Sequence, residues 1–149
     1  MPRGRVCLPM PSAPAQSPSS LSASVGHKYR VLYAEDMAEL RDLVQIVLSR
    51  EGHSVETVPD GAQALARVRD NPSGFDIVIT DHHMPLMNGV ELVEALRADH
   101  FTGKILVFSS EANPTIHEQY RQLRVDLILP KPVFPSALRD ALGQLCSAA

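Results

Sequence analysis

In Phe75-Asp76-Ile77-Val78-Ile79-Thr80-Asp81-His82-His83-Met84-Pro85-Leu86-Met87-Asn88-Gly89, an apolar run ends abruptly at a carboxylate. Phe75–Thr80 does not alternate apolar with polar residues, as a strand with one wet face would. Its composition suits a strand covered on both sides, which is the usual situation in parallel sheets. Gly89 opens a helical pattern that sends Leu92, Val93 and Leu96 inward.

The same strand-then-helix unit recurs on either side. Arg30–Ala34 reads as a strand, and the apolar residues Leu40, Leu43, Val44, Val47 and Leu48 then fall on one helical stripe, stopped by Gly52. Ser54–Val58 is the next strand, and Asp60-Gly61 turns into a helix that buries Ala64, Leu65 and Val68. Lys104–Phe108 forms a fourth strand ending at Ser109. Asn113-Pro114 has the form of an N-cap with a first-turn proline, which predicts a helix to about Leu123. Leu127–Leu129 is a fifth strand, stopped by Pro130. Ser136 is placed to cap a last helix with the stripe Leu138, Ala141, Leu142 and Leu145. Five strands alternating with five helices predict an α/β, doubly wound, five-stranded parallel sheet, with the flavodoxin-like order 2-1-3-4-5 among the few allowed topologies.

Composition sets the outer limits. The chain has 149 residues, 44% of them hydrophobic and 21% charged, which is ordinary for one globular domain. Residues 1–27 differ, with five prolines, six serines and only Arg3 and Arg5 charged. Such a segment has little apolar surface to offset chain entropy, and it is expected to be a disordered leader before a domain at 28–147. A secretory signal is the rival reading, but Pro9 and Pro11 cut its apolar part short. A total charge of −3, with +2 in the leader, leaves −5 on the remainder, which argues against a nucleic-acid footprint. No apolar run approaches the ~20 residues of a membrane span. Cys7 and Cys146 offer no disulfide framework and are compatible with a cytoplasmic location.

Ligands of open α/β sheets gather outside the carboxyl ends of the strands, so those ends are where chemistry is expected. Strand one ends at Glu35 and Asp36, strand three at Asp81, strand four at Ser109 and Ser110, and strand five at Lys131. Polar residues end strands for the bland reason that loops are solvated. Three acids converging with a lysine ask for more, because clustered carboxylates repel unless a cation neutralises them. A hard divalent ion with oxygen ligands would do so, Mg²⁺ first and Mn²⁺ as a possible substitute. Such an ion with a carboxylate, a hydroxyl and an ammonium equips a pocket for phosphoryl transfer, with Asp81 on the central strand as the nucleophile.

From about Lys28 to Cys146 the chain resembles the receiver domain of two-component response regulators. The resemblance is carried by Val31-Leu32-Tyr33-Ala34-Glu35-Asp36, Asp60–Leu65, the Asp76–Gly89 stretch with its D-x-x-M-P-x-M-x-G pattern, Ser109-Ser110 and Lys131-Pro132. It implies that Asp81 accepts a phosphoryl group from a phosphohistidine on a histidine kinase or a histidine phosphotransfer protein. It further implies Mg²⁺ held by Asp36 and Asp81, by Glu35 through water, and by the backbone carbonyl of His83. Lys131 would pair with Asp81 or the phosphoryl oxygens, Ser109 would bond the new phosphate, and Lys131–Pro132 would be cis. Met37 and Glu39, at the exposed end of the first helix, would lie on the kinase-docking surface.

The chain also departs from the pattern. Ile128 stands where the family often has a Tyr or Phe that swings inward, Arg124-Val125 replaces a Gly-Ala pair, and Ser110 stands where Ala is common. About 18 residues follow Lys131, too few for an output module, so output is expected through contacts with a downstream protein. The expected function is a regulatory phosphoprotein rather than an enzyme, with at most slow self-dephosphorylation. A receiver module of a hybrid kinase or phosphorelay is an alternative. So is a Mg-dependent phosphatase with an aspartyl-phosphate intermediate, although His83 stands where such enzymes commonly have a second Asp. Zinc on His82 and His83 is disfavoured, since neighbours on an extended segment point to opposite faces. His83 is instead expected to tune the lifetime of the phosphate.

Overall fold

In the computed structural model, which describes residues 28–110 and 113–147, every strand is parallel to its neighbours and the sheet order is 2-1-3-4-5. The leader expected over residues 1–27 lies outside the described residues. The strands are β1 (Arg30–Ala34), β2 (Ser54–Val58), β3 (Ile77–Asp81), β4 (Lys104–Ser109) and β5 (Leu127–Pro130). The helices are α1 (Ala38–Arg50), α2 (Gly61–Asp70), α3 (Gly89–Ala98), α4 (Pro114–Gln122) and α5 (Pro135–Ser147).

The pleat sorts the core into two layers. Val31 and Tyr33 of β1, with Ile77 and Ile79 of β3, pack with Val44 and Leu48 of α1 and Leu138 of α5. The alternate residues Leu32, Ala34 and Val78 join Ala64 of α2, Leu92 of α3 and Tyr120 of α4 on the other side. Both faces of the central strands are thereby dry, which is why their sequences are apolar runs.

Local chemistry starts and stops the helices. The Asp60 side chain accepts from the Gln63 N–H at 2.8 Å, and Asn113 accepts from Thr115 with Pro114 in the first turn. Asn88, one residue before the glycine that opens α3, forms a reciprocal capping box with Glu91. Gly52 follows α1 at φ 94, a left-handed turn suited to glycine.

Some expectations need correction. β3 begins two residues later than expected and takes in Asp81, because Asp81 pairs in register with Phe108. Ser136 does not cap α5, which begins at Pro135, so the serine lies inside the first turn. Leu43 is 39% exposed and does not share the buried stripe of Val44, Val47 and Leu48. At the Arg124-Val125 departure, Arg124 has φ 59, the conformation that a glycine adopts freely. The Arg97 guanidinium holds this turn by donating to the carbonyls of Leu123 at 2.9 Å and Arg124 at 2.7 Å.

Candidate functional site

Strand register assembles one acidic rim. Ala34 pairs with Thr80, so the residues after them, Glu35-Asp36 and Asp81, emerge side by side. One carboxylate oxygen from each of Glu35, Asp36 and Asp81 lies within 4.8 Å of the other two. Across β4, Ser109 pairs with Pro130, and the Lys131 N–H donates to the Ser109 carbonyl at 3.1 Å. The structure therefore brings Glu35, Asp36, Asp81, Ser109 and Lys131 to the carboxyl edge of the sheet. His83 follows two residues after Asp81, with an exposed side chain.

Within this rim the groups are unequal. Asp81 and Ser109 are each 3% exposed, and Glu35 is fully buried, whereas Asp36 faces solvent. The Lys131 ammonium lies 2.6 Å from Asp81 Oδ1 and 3.6 Å from Glu35 Oε1. Burial pulls the Lys131 pKa down, but the hydrogen bond and charge of Asp81, with Glu35 behind it, leave it above the ordinary lysine value. Burial, then the charge of Asp81, push Glu35 above the ordinary glutamate value. Among the described residues, the Lys131 ammonium is the one lysine or arginine cation within ion-pair distance of these three clustered carboxylates. That shortage of positive charge, together with an all-oxygen donor set, fits a hard divalent cation such as Mg²⁺.

Sequence reasoning missed the groups that hold Glu35. The Tyr33 hydroxyl, on a side chain buried in β1, donates to Glu35 Oε1 at 2.9 Å, and the Met37 N–H donates to Oε2 at 3.2 Å. Arg41 donates from α1 to the Glu35 carbonyl at 2.6 Å. Tyr33 was legible only as a core residue. Its distance of two from Glu35 puts both side chains on one face of an extended chain, which is the signal that could have found it. Burial, followed by the charge of Glu35, raises the Tyr33 pKa far above the tyrosine range, so this phenol remains a donor.

His82 and His83 do part as expected, His82 buried and His83 exposed, although their rings meet edge-on at 4.7 Å. Lys131–Pro132 is cis.

A profile of the response regulator receiver domain family matches residues 31–143. The chain belongs to that family. It is 31% identical over 142 residues to the sensor histidine kinase AruS of Pseudomonas aeruginosa, covering 93% of this chain and 14% of that protein. It is 33% identical over 126 residues to the alkaline phosphatase synthesis transcriptional regulatory protein SphR of Synechococcus elongatus, covering 80% and 46%. The chain thus spans less than half the length of these relatives. Among solved structures, the chemotaxis protein CheY4 of Vibrio cholerae superposes with a TM-score of 0.74 at 30% identity, over 80% of this chain and 99% of that one. The receiver domain of the response regulator NarL from Mycobacterium tuberculosis gives 0.72 at 26% identity, over 83% and 99%. The receiver domain family is regulatory, and the proteins this chain resembles include both sensor kinases and transcriptional regulatory proteins.

Proposed function

We propose that this receiver domain is a phosphorylation switch whose acceptor is Asp81. The observation that carries the reading is the buried Asp81 carboxylate held by Lys131 at 2.6 Å, beside two further acids. Lys131 occupies Oδ1, and the other carboxylate oxygen is the attacking atom. A bond forms from that oxygen to the phosphorus of a phosphohistidine, the P–N bond breaks, and the freed imidazole keeps the electron pair and takes up a proton. Asp36, Asp81 and the His83 carbonyl would hold a divalent cation, with Glu35 behind them. Such an ion, when bound, cancels charge on the equatorial phosphoryl oxygens.

The residues then divide the work. Lys131 compensates the negative charge that the acyl phosphate adds, and Ser109, at the end of β4, is placed to donate to a phosphoryl oxygen. His83, exposed beside the acceptor, tunes how fast water reaches the phosphate. Because the new contacts exist only with phosphate present, phosphorylation biases a conformational equilibrium by the free energy of those contacts.

The donor is a histidine kinase or a phosphotransfer protein. Met37, 50% exposed, and the exposed Glu39 give the β1–α1 corner the surface for docking it. Output passes to a protein target in the cytoplasm. No described helix is long and apolar enough to cross a membrane. The similarity to AruS gives specific support to a second reading, in which the domain works as a module of a hybrid kinase or phosphorelay.

Beryllofluoride with Mg²⁺, which mimics an acyl phosphate, tests the switch. Amide signals around Ser109 are expected to shift in the wild type and to stay in place in Asp81→Asn. Equal shifts in both proteins would remove Asp81 from the acceptor role.

A further inference from the structure

His82 is the residue after Asp81, yet it is 5% exposed, and it is gripped from three elements. Its N–H donates to the Phe108 carbonyl of β4 at 2.9 Å, and its carbonyl accepts from the Gly89 N–H at the start of α3, also at 2.9 Å. Its ring nitrogen Nδ1 lies 2.5 Å from the hydroxyl of Tyr120, a fully buried residue of α4, and the rings meet edge-on at 5.6 Å. Gly89 leaves the space for this meeting: a Cβ there would overlap the Tyr120 hydroxyl and press on the Asp81 carbonyl and the His82 Cα. Tyr120, His82, Gly89 and the main chain of Asp81 therefore form one contact.

The surrounding layer is apolar, made of residues such as Leu92, Val93 and Val107. A buried polar pair in such a layer adds little net stability over an apolar pair of similar volume, but it fixes geometry, because leaving either partner unbonded is costly. The geometry fixed here is that of the turn that carries Asp81 and the His83 carbonyl.

We propose that Tyr120 is a positioning residue for phosphoryl transfer, acting through His82 to hold the Asp81–His83 main chain in register with the acidic rim. The proposal rests on the phosphoacceptor reading of Asp81. Tyr120 acts through His82 and so is a positioning residue, not a catalytic one. It ties α4 to the acceptor turn, and removing its hydroxyl lets that turn shift relative to Asp36 and Lys131. Displacements of the order of 1 Å are enough to slow a positioned reaction severely.

The full chain is used for the test, with acetyl phosphate as donor, Mg²⁺ present, and labelling followed by intact mass. Tyr120→Phe keeps the ring and removes the hydroxyl, and with it the bond between Tyr120 and His82 Nδ1. Its labelling rate at saturating donor is expected to fall about tenfold, with the half-saturating donor concentration unchanged and Mg²⁺ affinity, measured by calorimetry with the metal alone, weakened several-fold. The double variant Tyr120→Phe/His82→Leu replaces both polar partners by apolar groups, so its melting temperature returns toward wild type while its labelling stays slow. A double variant that regains the wild-type rate along with its stability would show packing and no positioning, and would overturn the proposal. So would a Tyr120→Phe that labels at the wild-type rate while the wild type labels normally. An unlabelled wild type overturns the acceptor reading, and this proposal with it.

Discussion

Glu35 sits fully buried between Tyr33, Met37 and Lys131, and its ionised form is disfavoured there first by burial and then by Asp81. The thermodynamic sign follows from linkage. A carboxyl whose folded pKa lies above its unfolded value of 4.5 binds more protons in the folded state. Its contribution is favourable below 4.5 and is lost as pH rises through the folded value. Lys131, also raised, contributes stability that is complete below 10.5 and lost only above that. In chelator, Glu35→Gln is therefore expected to flatten the decline in stability that the wild type shows as pH rises from 4.5. Urea midpoints across that range measure it. Equal slopes in the two proteins would mean that Glu35 ionises as freely as in an unfolded chain. The residue scale is also where sequence reading reached least far. Glu35, Asp36, Asp81, Ser109 and Lys131 were legible because they end strands. Tyr33, Arg41 and Tyr120 were not: Tyr33 and Arg41 reach Glu35 from two and six residues away, and Tyr120 meets His82 through a tertiary contact that residue type alone does not announce.

At the scale of elements, periodicity worked best where one physical effect dominates. β1 and β2 keep the bounds expected of them, β4 runs one residue further to Ser109, and Asp60 and Asn113 do cap their helices. Boundaries slipped where two signals compete. Ser136 has cap chemistry, but Pro135, whose fixed φ suits a first helical turn, starts α5 two residues before the helix that a Ser136 cap would open. The turn after α4 shows a different conflict. Arg124 carries a side chain at φ 59, where glycine is preferred, and Arg97 braces it from α3. Arg124→Gly relieves the left-handed conformation while keeping the carbonyl that Arg97 holds. It is expected to stabilise the chain by about 1 kcal/mol, offset in part by the extra freedom of glycine in the unfolded state. Thermal melts decide it, and a lower melting temperature for the variant would show that the arginine is not strained there.

For the whole molecule, alternation of strands and helices was enough to reach the doubly wound sheet, because parallel strands buried on both faces admit few connections. The sheet then does the functional work of convergence: four loops, distant in sequence, share one edge because β3 lies between β1 and β4. Ile128, Arg124-Val125 and Ser110 mark where this chain departs from the receiver pattern, and the Tyr120–His82 contact is a meeting of side chains that the sequence pattern could not indicate.

The central claim is that one carboxylate on that edge takes phosphorus, and intact-protein mass after incubation with acetyl phosphate and Mg²⁺ tests it most directly. The wild type is expected to gain a single phosphoryl group, a gain that chelator prevents and Asp81→Asn abolishes. A wild type that stays unmodified, or an Asp81→Asn protein that labels equally well, would contradict the account.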